Sequence, residues 1–320
     1  CDQVGSSPAE AAVLAGVEVA RSQGCDSLIA VGGGSAIDCA KGIAIAATHA
    51  GPLTQYATIE GGSPRITDAV LPLTAIPTTS GTGSEVARGA ILIVQDGRKL
   101  GFHSWHLVPR SAICDPALTL GLPPALTAAT GMDAIAHCIE TFLAPAFNPA
   151  ADGIALEGLR RGWSHIVRAT VDGLDEEARL NMMTASIHGA LAFQKGLGCV
   201  HSLSHSLGGV NPGLHHGTLN AIFLPAVVRF NSEAESVRKE QRLDRLAQAM
   251  GLPGGEAVAP ALAAMLQTLK LPAGLAALGV VPGQFDTIIT HALADHCHKT
   301  NPREASREDY LQMLQDSMRI

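Results

Sequence analysis

Residues 26–47 read DSLIAVGGGSAIDCAKGIAIAA, and this stretch decides the fold class. Asp26 to Val31 is an apolar run of strand length, Gly32-Gly33-Gly34-Ser35 follows at once, and Ala36 to Ala47 has helical composition. Strand, glycine turn and helix in that order present backbone N–H groups and a helix N-terminus to a phosphate. Asp38 falls in the first turns of the helix, within reach of a ribose or an amide near the loop. The spacing departs from the dinucleotide fingerprint GxGxxG, and no acidic residue stands where that fingerprint places one for the ribose. Alone, the loop reads as a phosphate site or as a tight turn rich in glycine.

The arrangement recurs downstream. Val70 to Ile76 (VLPLTAI) is a second buried-type strand, and it ends in PTTSGTGSE, residues 77–85, seven of which are hydroxyl-bearing or glycine. That loop lies at the carboxyl end of its strand, where open α/β sheets bind ligands. Two such loops after two strands point to a shared nucleotide cleft. Ala90 to Gln95 and Lys99 to His103 read as a hairpin through Asp96-Gly97, and Lys99 faces a phosphate or is an ordinary surface lysine. Upstream, Ser7 to Gln23 is an alanine-rich helix opened by Ser-Pro-Ala-Glu, a cap followed by proline at the first helical position.

After Asp115-Pro116 the character changes. Leu118 to Pro124 is linker-like, and beyond it almost everything to Ile320 has helical composition. The expected organisation is an α/β nucleotide-binding domain over 1–121, a partial doubly wound sheet, followed by an all-α metal and substrate domain over 122–320. Within the second, Ala178 to Phe193, Ala226 to Met250 and Glu308 to Met318 read as helices. In the helix Ala125 to Phe142, Asp133 and His137 sit four apart and share one face. The rest of that helix is apolar, so the pair is buried, and a buried charge needs a partner. Gly196 to Pro225 holds four of the thirteen histidines, His201, His205, His215 and His216. Histidines that dense are seldom packing residues, because each buried imidazole must satisfy two ring nitrogens. Three imidazoles and one carboxylate suit a single borderline divalent ion such as Fe²⁺ or Zn²⁺, with another histidine left for acid–base work.

Composition excludes several classes. A net charge of −7 without any basic cluster argues against nucleic acid or an anionic membrane as partner. An aromatic content of 3% offers no base-stacking platform, and no apolar run reaches the length of a bilayer span. Seven cysteines, scattered without a CxxC pair, read as reduced thiols of a cytoplasmic protein. The chain opens on Cys1 without a signal peptide, so it is expected to start inside a larger protein.

Six motifs carry a resemblance: GGGSAIDCAK (32–41), PTTSGTGSE (77–85), TGMDAIAHCIE (130–140), HSLSHSLGG (201–209), HHGTLNA (215–221) and TNPR (300–303). In order and spacing they resemble the iron-containing (group III) alcohol dehydrogenases, through essentially the whole chain. The resemblance implies a nucleotide-binding α/β domain, an all-helical metal domain, and NAD or NADP as cofactor. It assigns Asp133, His137, His201 and His216 to the metal, and His205 to proton transfer near the substrate. Gly33, Gly34, Ser35 and Asp38 match the pyrophosphate and ribose loop, and Thr78, Thr79, Thr82 and Lys99 match further cofactor contacts. His216 lies one residue further from His205 than the family's usual spacing. Anchoring on the following HGxxNA selects it, with His215 as the fallback. The family also carries about sixty residues before the first helix, forming the opening strand–helix–strand unit of such a sheet. Those residues hold the acidic group that separates NAD from NADP. Without them an exposed sheet edge is expected, and dimerisation would cover such a liability.

The activity implied is reversible, metal-dependent, NAD(P)-linked oxidation of an alcohol to an aldehyde or ketone. A maleylacetate reductase-like enzyme would work without metal, and Asp133 speaks against it. A glycerol-type polyol dehydrogenase is a further alternative. A metal-dependent hydrolase or lyase would use the same ligands without needing the two loops, and a truncated relic would bind metal without cofactor.

Overall fold

The parallel strands and their loops form as the apolar runs dictate, and the helical half packs around one buried helix. These features come from a computed structural model that describes residues 4, 5 and 8–320. The chain divides into two units, one reaching to Thr119 and the other spanning Leu120–Ile320.

The first unit comprises α1 (Glu10–Ser22), β1 (Leu28–Gly32), α2 (Gly34–Thr48), β2 (Leu73–Pro77), β3 (Gly89–Ile93), β4 (Lys99–His103) and β5 (Ser111–Ala112). β1, β2 and β5 form a parallel sheet in that order, while β3 and β4 make the antiparallel hairpin turned at Asp96-Gly97. Register pairs Leu28 with Leu73 and Gly32 with Pro77, so both loops leave the sheet at the same end. The Thr78 N–H donates to the Gly32 carbonyl at 3.0 Å and fixes that exit. α2 is apolar on two faces because it is packed on two sides. Ile37 and Ala40 meet Ala30, Leu73 and Ala75 of the sheet, while Cys39, Ile43 and Ile45 belong to the core that holds Val13 and Val17 of α1 and Leu92, Leu100 and Phe102 of the hairpin.

β1 lies at the sheet edge, with Ile29 72% and Val31 60% exposed. Parallel strands are ordinarily covered on both faces. The expected Ser7 cap lies outside the described residues, and α1 begins at Glu10 after Ala9, which makes no side-chain cap bond. Instead Glu10 Oε2 accepts from the Gln95 N–H at 2.8 Å, tying the helix start to the hairpin.

The second unit is helical: α3 (Pro124–Leu143), α4 (Pro149–Val171), α5 (Glu176–Ala192), α6 (Cys199–Val210), α7 (His216–Asn231), α8 (Glu235–Lys239), α9 (Arg242–Met250), α10 (Val258–Thr268), α11 (Phe285–Ala294) and α12 (Arg307–Asp316). α3 is buried without interruption from Thr127 to Leu143, as a helix apolar on all sides must be. α7 approaches it closely at Gly217, where a Cβ would lie 2.2 Å from the Ala129 carbonyl oxygen. Only glycine permits that approach, and it sets the α7 N-terminus beside Asp133.

The helix expected over Ala226 to Met250 is broken into the end of α7, then α8, then α9. Gln241 turns the chain with a left-handed φ of 48° before α9 begins. α4, the longest helix among the described residues, received no separate reading from the sequence. Its signals were nonetheless local: Asn148 Oδ1 accepts from the Ala151 N–H at 3.1 Å, and Pro149 takes the first helical position. No single helix is long and apolar enough to cross a membrane among the described residues.

Candidate metal centre

Three helices bring one carboxylate and three imidazoles together. Asp133 and His137 stand one turn apart on α3, His201 opens α6, and His216 opens α7. The Nε2 atoms of His137, His201 and His216 lie 3.9, 3.8 and 3.7 Å from Asp133 Oδ1. Donors about 2.0–2.2 Å from a tetrahedral ion stand about 3.5 Å from one another, so each imidazole nitrogen lies near the separation from Asp133 Oδ1 that a shared ion requires, and Asp133, His137 and His201 offer donor atoms all within 4.8 Å of one another. Asp133, His137 and His201 are buried, and the His216 side chain is 28% exposed, which gives the site one open side. His215 is the exposed N-cap of α7, so His216 rather than His215 joins the cluster.

Asn220 shows what charge the cluster wants. Its Nδ2 sits 2.6 Å from Asp133 Oδ1, 3.2 Å from His201 Nε2 and 3.1 Å from His216 Nε2. An amide has two hydrogens for those three acceptors, and Asn220 Oδ1 is buried with no partner. Lone pairs therefore converge on one buried point that carries only a partial positive charge. An N₃O set of this kind fits a borderline divalent cation.

The ring of His201 is held from behind. His201 Nδ1 lies 2.5 Å from Glu140 Oε2, and Glu140 also accepts from the N–H groups of Val200 at 2.8 Å and His201 at 3.3 Å. Burial pushes the Glu140 carboxyl up to about 7 against the pull of those N–H groups. Burial, and then neighbouring His137, push the His201 imidazole well below its ordinary value. His201 is thus neutral, its Nδ1–H donated to Glu140 and its Nε2 lone pair turned to the cluster, the arrangement that orients metal-binding histidines. The remaining α6 terminus is satisfied from afar: Asn301 Oδ1 accepts from the Cys199 N–H at 3.1 Å. Asn301 and Asn231 also exchange amide hydrogen bonds of 2.7 and 3.1 Å. The TNPR motif therefore staples α6 to α7. The ring of His137 stacks on His201 with centroids 4.7 Å apart, and its Nδ1 is buried without a partner.

His205 lies one turn beyond His201 and differs from it. Its side chain is 17% exposed, and its Nδ1 meets Asp295 Oδ2 at 3.1 Å. Burial pushes the Asp295 carboxyl up, but the neighbouring His205 and His296 and the Cys297 N–H outweigh it and hold the group below the usual carboxylate range. The His205 ring stacks on His216 with centroids 5.3 Å apart. Glu140, Asn220 and Asp295 were not assigned roles from sequence. The signal for Glu140 was its position seven residues beyond Asp133 on the helix that carries Asp133 and His137, two turns along and on the same face.

In the first unit, Gly33 caps α2 and Gly34 and Ser35 begin it. A Cβ on Gly34 would lie 2.4 Å from Thr82 Oγ1, so the two loops meet where glycine alone fits. Thr78, Thr79 and Thr82 are half-buried along the second loop. The N-terminus of a 15-residue helix beside a hydroxyl-rich loop suits a phosphate. Asp38 engages both oxygens within the unit, accepting from Ser84 Oγ at 2.6 Å and from the Ile91 N–H at 2.9 Å. It ties α2 to the second loop and to β3. Lys99 opens β4, and its charge reaches Asp38. Lys41 is fully buried, its Nζ 2.7–2.9 Å from the carbonyls of Ser84, Ala87 and Gly89 and from Ser84 Oγ. Burial brings its ammonium down to about 8, which leaves it charged at neutral pH as an internal clamp on the loop.

Comparison with known proteins agrees with this layout. Residues 127–318 match the Fe-containing alcohol dehydrogenase family, C-terminal, and residues 1–116 match iron-containing alcohol dehydrogenase. A 4-hydroxybutyrate dehydrogenase of Cupriavidus necator is 66% identical over 99% of this chain and 84% of its own length. An NAD-dependent methanol dehydrogenase of Bacillus methanolicus is 34% identical over 97% of this chain and 82% of its own. The crystal structure of a 1,3-propanediol oxidoreductase superposes with a TM-score of 0.93 at 34% identity, covering 99% of this chain and 83% of that one.

Proposed function

This chain belongs to the iron-containing alcohol dehydrogenase family, and on that premise we propose that Asp133, His137, His201 and His216 hold one Fe²⁺ ion while His205 handles the substrate proton. It is an oxidoreductase acting on alcohol groups in an NAD-dependent family. The observation that carries the site is the convergence of three imidazole Nε2 atoms 3.7–3.9 Å from Asp133 Oδ1.

A bound divalent ion supplies Lewis acidity toward an alcohol or carbonyl oxygen, and a bound nicotinamide supplies the hydride acceptor. The protein's part is position and charge. Glu140 fixes the His201 tautomer, and Asp133 adds the one negative ligand. Asp295 accepts from His205 Nδ1–H, which leaves Nε2 to exchange the hydroxyl proton. Gly33, Gly34 and Ser35 present the α2 N-terminus to the pyrophosphate, with Thr78, Thr79, Thr82 and Lys99 as further contacts. Asp38 and Lys41 hold those loops in shape.

Iron rather than zinc and NAD rather than NADP follow the family and the relatives' names. The 66% identical relative supports a short ω-hydroxy acid as substrate. The dispersed, unpaired cysteines suit a cytoplasmic enzyme, and we read it as a homodimer. The test uses protein purified without oxygen and loaded with Fe²⁺ and NAD⁺. A higher kcat/KM for 4-hydroxybutyrate than for 1-butanol or 1,3-propanediol is expected. Equal or lower values for the hydroxy acid would overturn the substrate assignment.

A further inference from the structure

Beside the buried centre stands a second cluster with different donors. One donor atom from each of His205, Asp295, His296 and Cys297 lies within 4.8 Å of the others. His205 Nδ1 is 3.1 Å from Asp295 Oδ2, His296 Nδ1 is 3.7 Å from Asp295 Oδ1, and Cys297 Sγ is 3.4 Å from His296 Nε2. Two imidazoles, one carboxylate and one thiol, each offering one donor atom within that 4.8 Å, are a set of four that Zn²⁺ accepts. We propose that His205, Asp295, His296 and Cys297 form a second, solvent-accessible site for a soft or borderline divalent cation, Zn²⁺ above all.

The two sites differ in ways that separate their ions. The first has no sulfur, and three of its four donor side chains are buried. The second includes a thiol and opens to solvent through His296, whose side chain is 52% exposed. Thiolate and imidazole donors select Zn²⁺, which also binds more tightly than Fe²⁺ to a given N/S site. Asp295 is already ionised and supplies the first charge. Without metal, burial and the Asp295 carboxylate keep the Cys297 thiol protonated. On binding, the Sγ–H proton passes to solvent as the sulfur–metal bond forms, and His205 gives up its Nδ1 proton and carries its ring proton on Nε2 instead. Because His205 would be drawn into the second site, zinc there inhibits turnover. That consequence rests on the role of His205 proposed above, whereas the binding does not.

The experiment titrates metal-free protein with Co²⁺, whose thiolate complexes absorb by sulfur-to-metal charge transfer. Wild-type protein takes a first equivalent without that band and a second with it. Cys297→Ser keeps the first equivalent and loses both the second and the band. His296→Ala weakens the second equivalent by more than about tenfold and leaves the first unchanged, which reports that the variant is folded. Saturation at one equivalent, or a band that survives in Cys297→Ser, overturns the second site. Zinc inhibition of the iron enzyme that vanishes in both variants supports the link to His205. A second equivalent that binds without inhibiting contradicts the role given to His205 and leaves the site standing.

Discussion

His201 and His205 stand one turn apart on the same helix, yet their surroundings give them opposite work. His201 is 2% exposed, and burial drives the Glu140 carboxyl behind it up to about 7. His205 is 17% exposed, and the Asp295 carboxyl beside it is held below the ordinary range. In the first pair desolvation wins, the imidazole is kept neutral, and its outer nitrogen is left facing Asp133 and Asn220. In the second pair charge wins, and the imidazole sits against an ionised carboxylate at the edge of solvent. Neighbours on one helical face thus diverge through the partners that distant segments bring to them.

The sharpest break in this contrast is mutation of each histidine to alanine. His201→Ala should empty the first site of iron and lower kcat by about 10³-fold or more, the scale of several kcal/mol of Lewis-acid stabilisation. Metal analysis and turnover on the same sample check it. His205→Ala should retain a full equivalent of iron and lose kcat by about 10²-fold. Matching losses of iron in both variants would erase the distinction.

Removing the partners tests the same difference more gently. Glu140→Gln should weaken iron binding by about 10–100-fold, read by competition with a chelator. Asp295→Asn should leave iron affinity unchanged and act on kcat and on acid stability. The sign follows from the shift: a carboxyl whose folded value is lowered lends stability that is complete above its unfolded pKa, near 3.9. That stability is lost as pH falls through the folded value. Metal-free wild-type protein should therefore lose about 1 kcal/mol more than Asp295→Asn on going below about pH 4, measured by urea unfolding at each pH. The smallest effect is expected on the surface of α4, where Glu157 pairs with exposed Arg160 and with Arg161. Glu157→Gln should cost less than about 1 kcal/mol and change neither metal site.

Much of this contrast was legible in the sequence, for identifiable reasons. Asp133/His137 and His201/His205 are four apart on helices with strong local signals, so their shared faces follow from helical geometry. The two loops followed from apolar runs that end in glycine and threonine, and Asp96-Gly97 announced its hairpin. The partners were not legible. Glu140 reaches His201 across 61 residues and Asp295 reaches His205 across 90, and nothing local marks either pairing. Asn220 stands in the sequence as one residue of HHGTLNA with no local mark of its role, because its three acceptors come from three helices. Asp38 was expected at a ribose because it follows the loop, yet its hydrogen bonds go to Ser84 and Ile91, far along the chain. The break between α7 and α9 was missed because the composition stays helical while the backbone turns at Gln241.

The most direct test of the account is a crystal of the protein loaded anaerobically with one equivalent of iron, with anomalous scattering measured at the iron edge. The account predicts one peak enclosed by Asp133 Oδ1 and the Nε2 atoms of His137, His201 and His216. A peak among His205, Asp295 and Cys297 instead, or no ordered iron near Asp133, would contradict it.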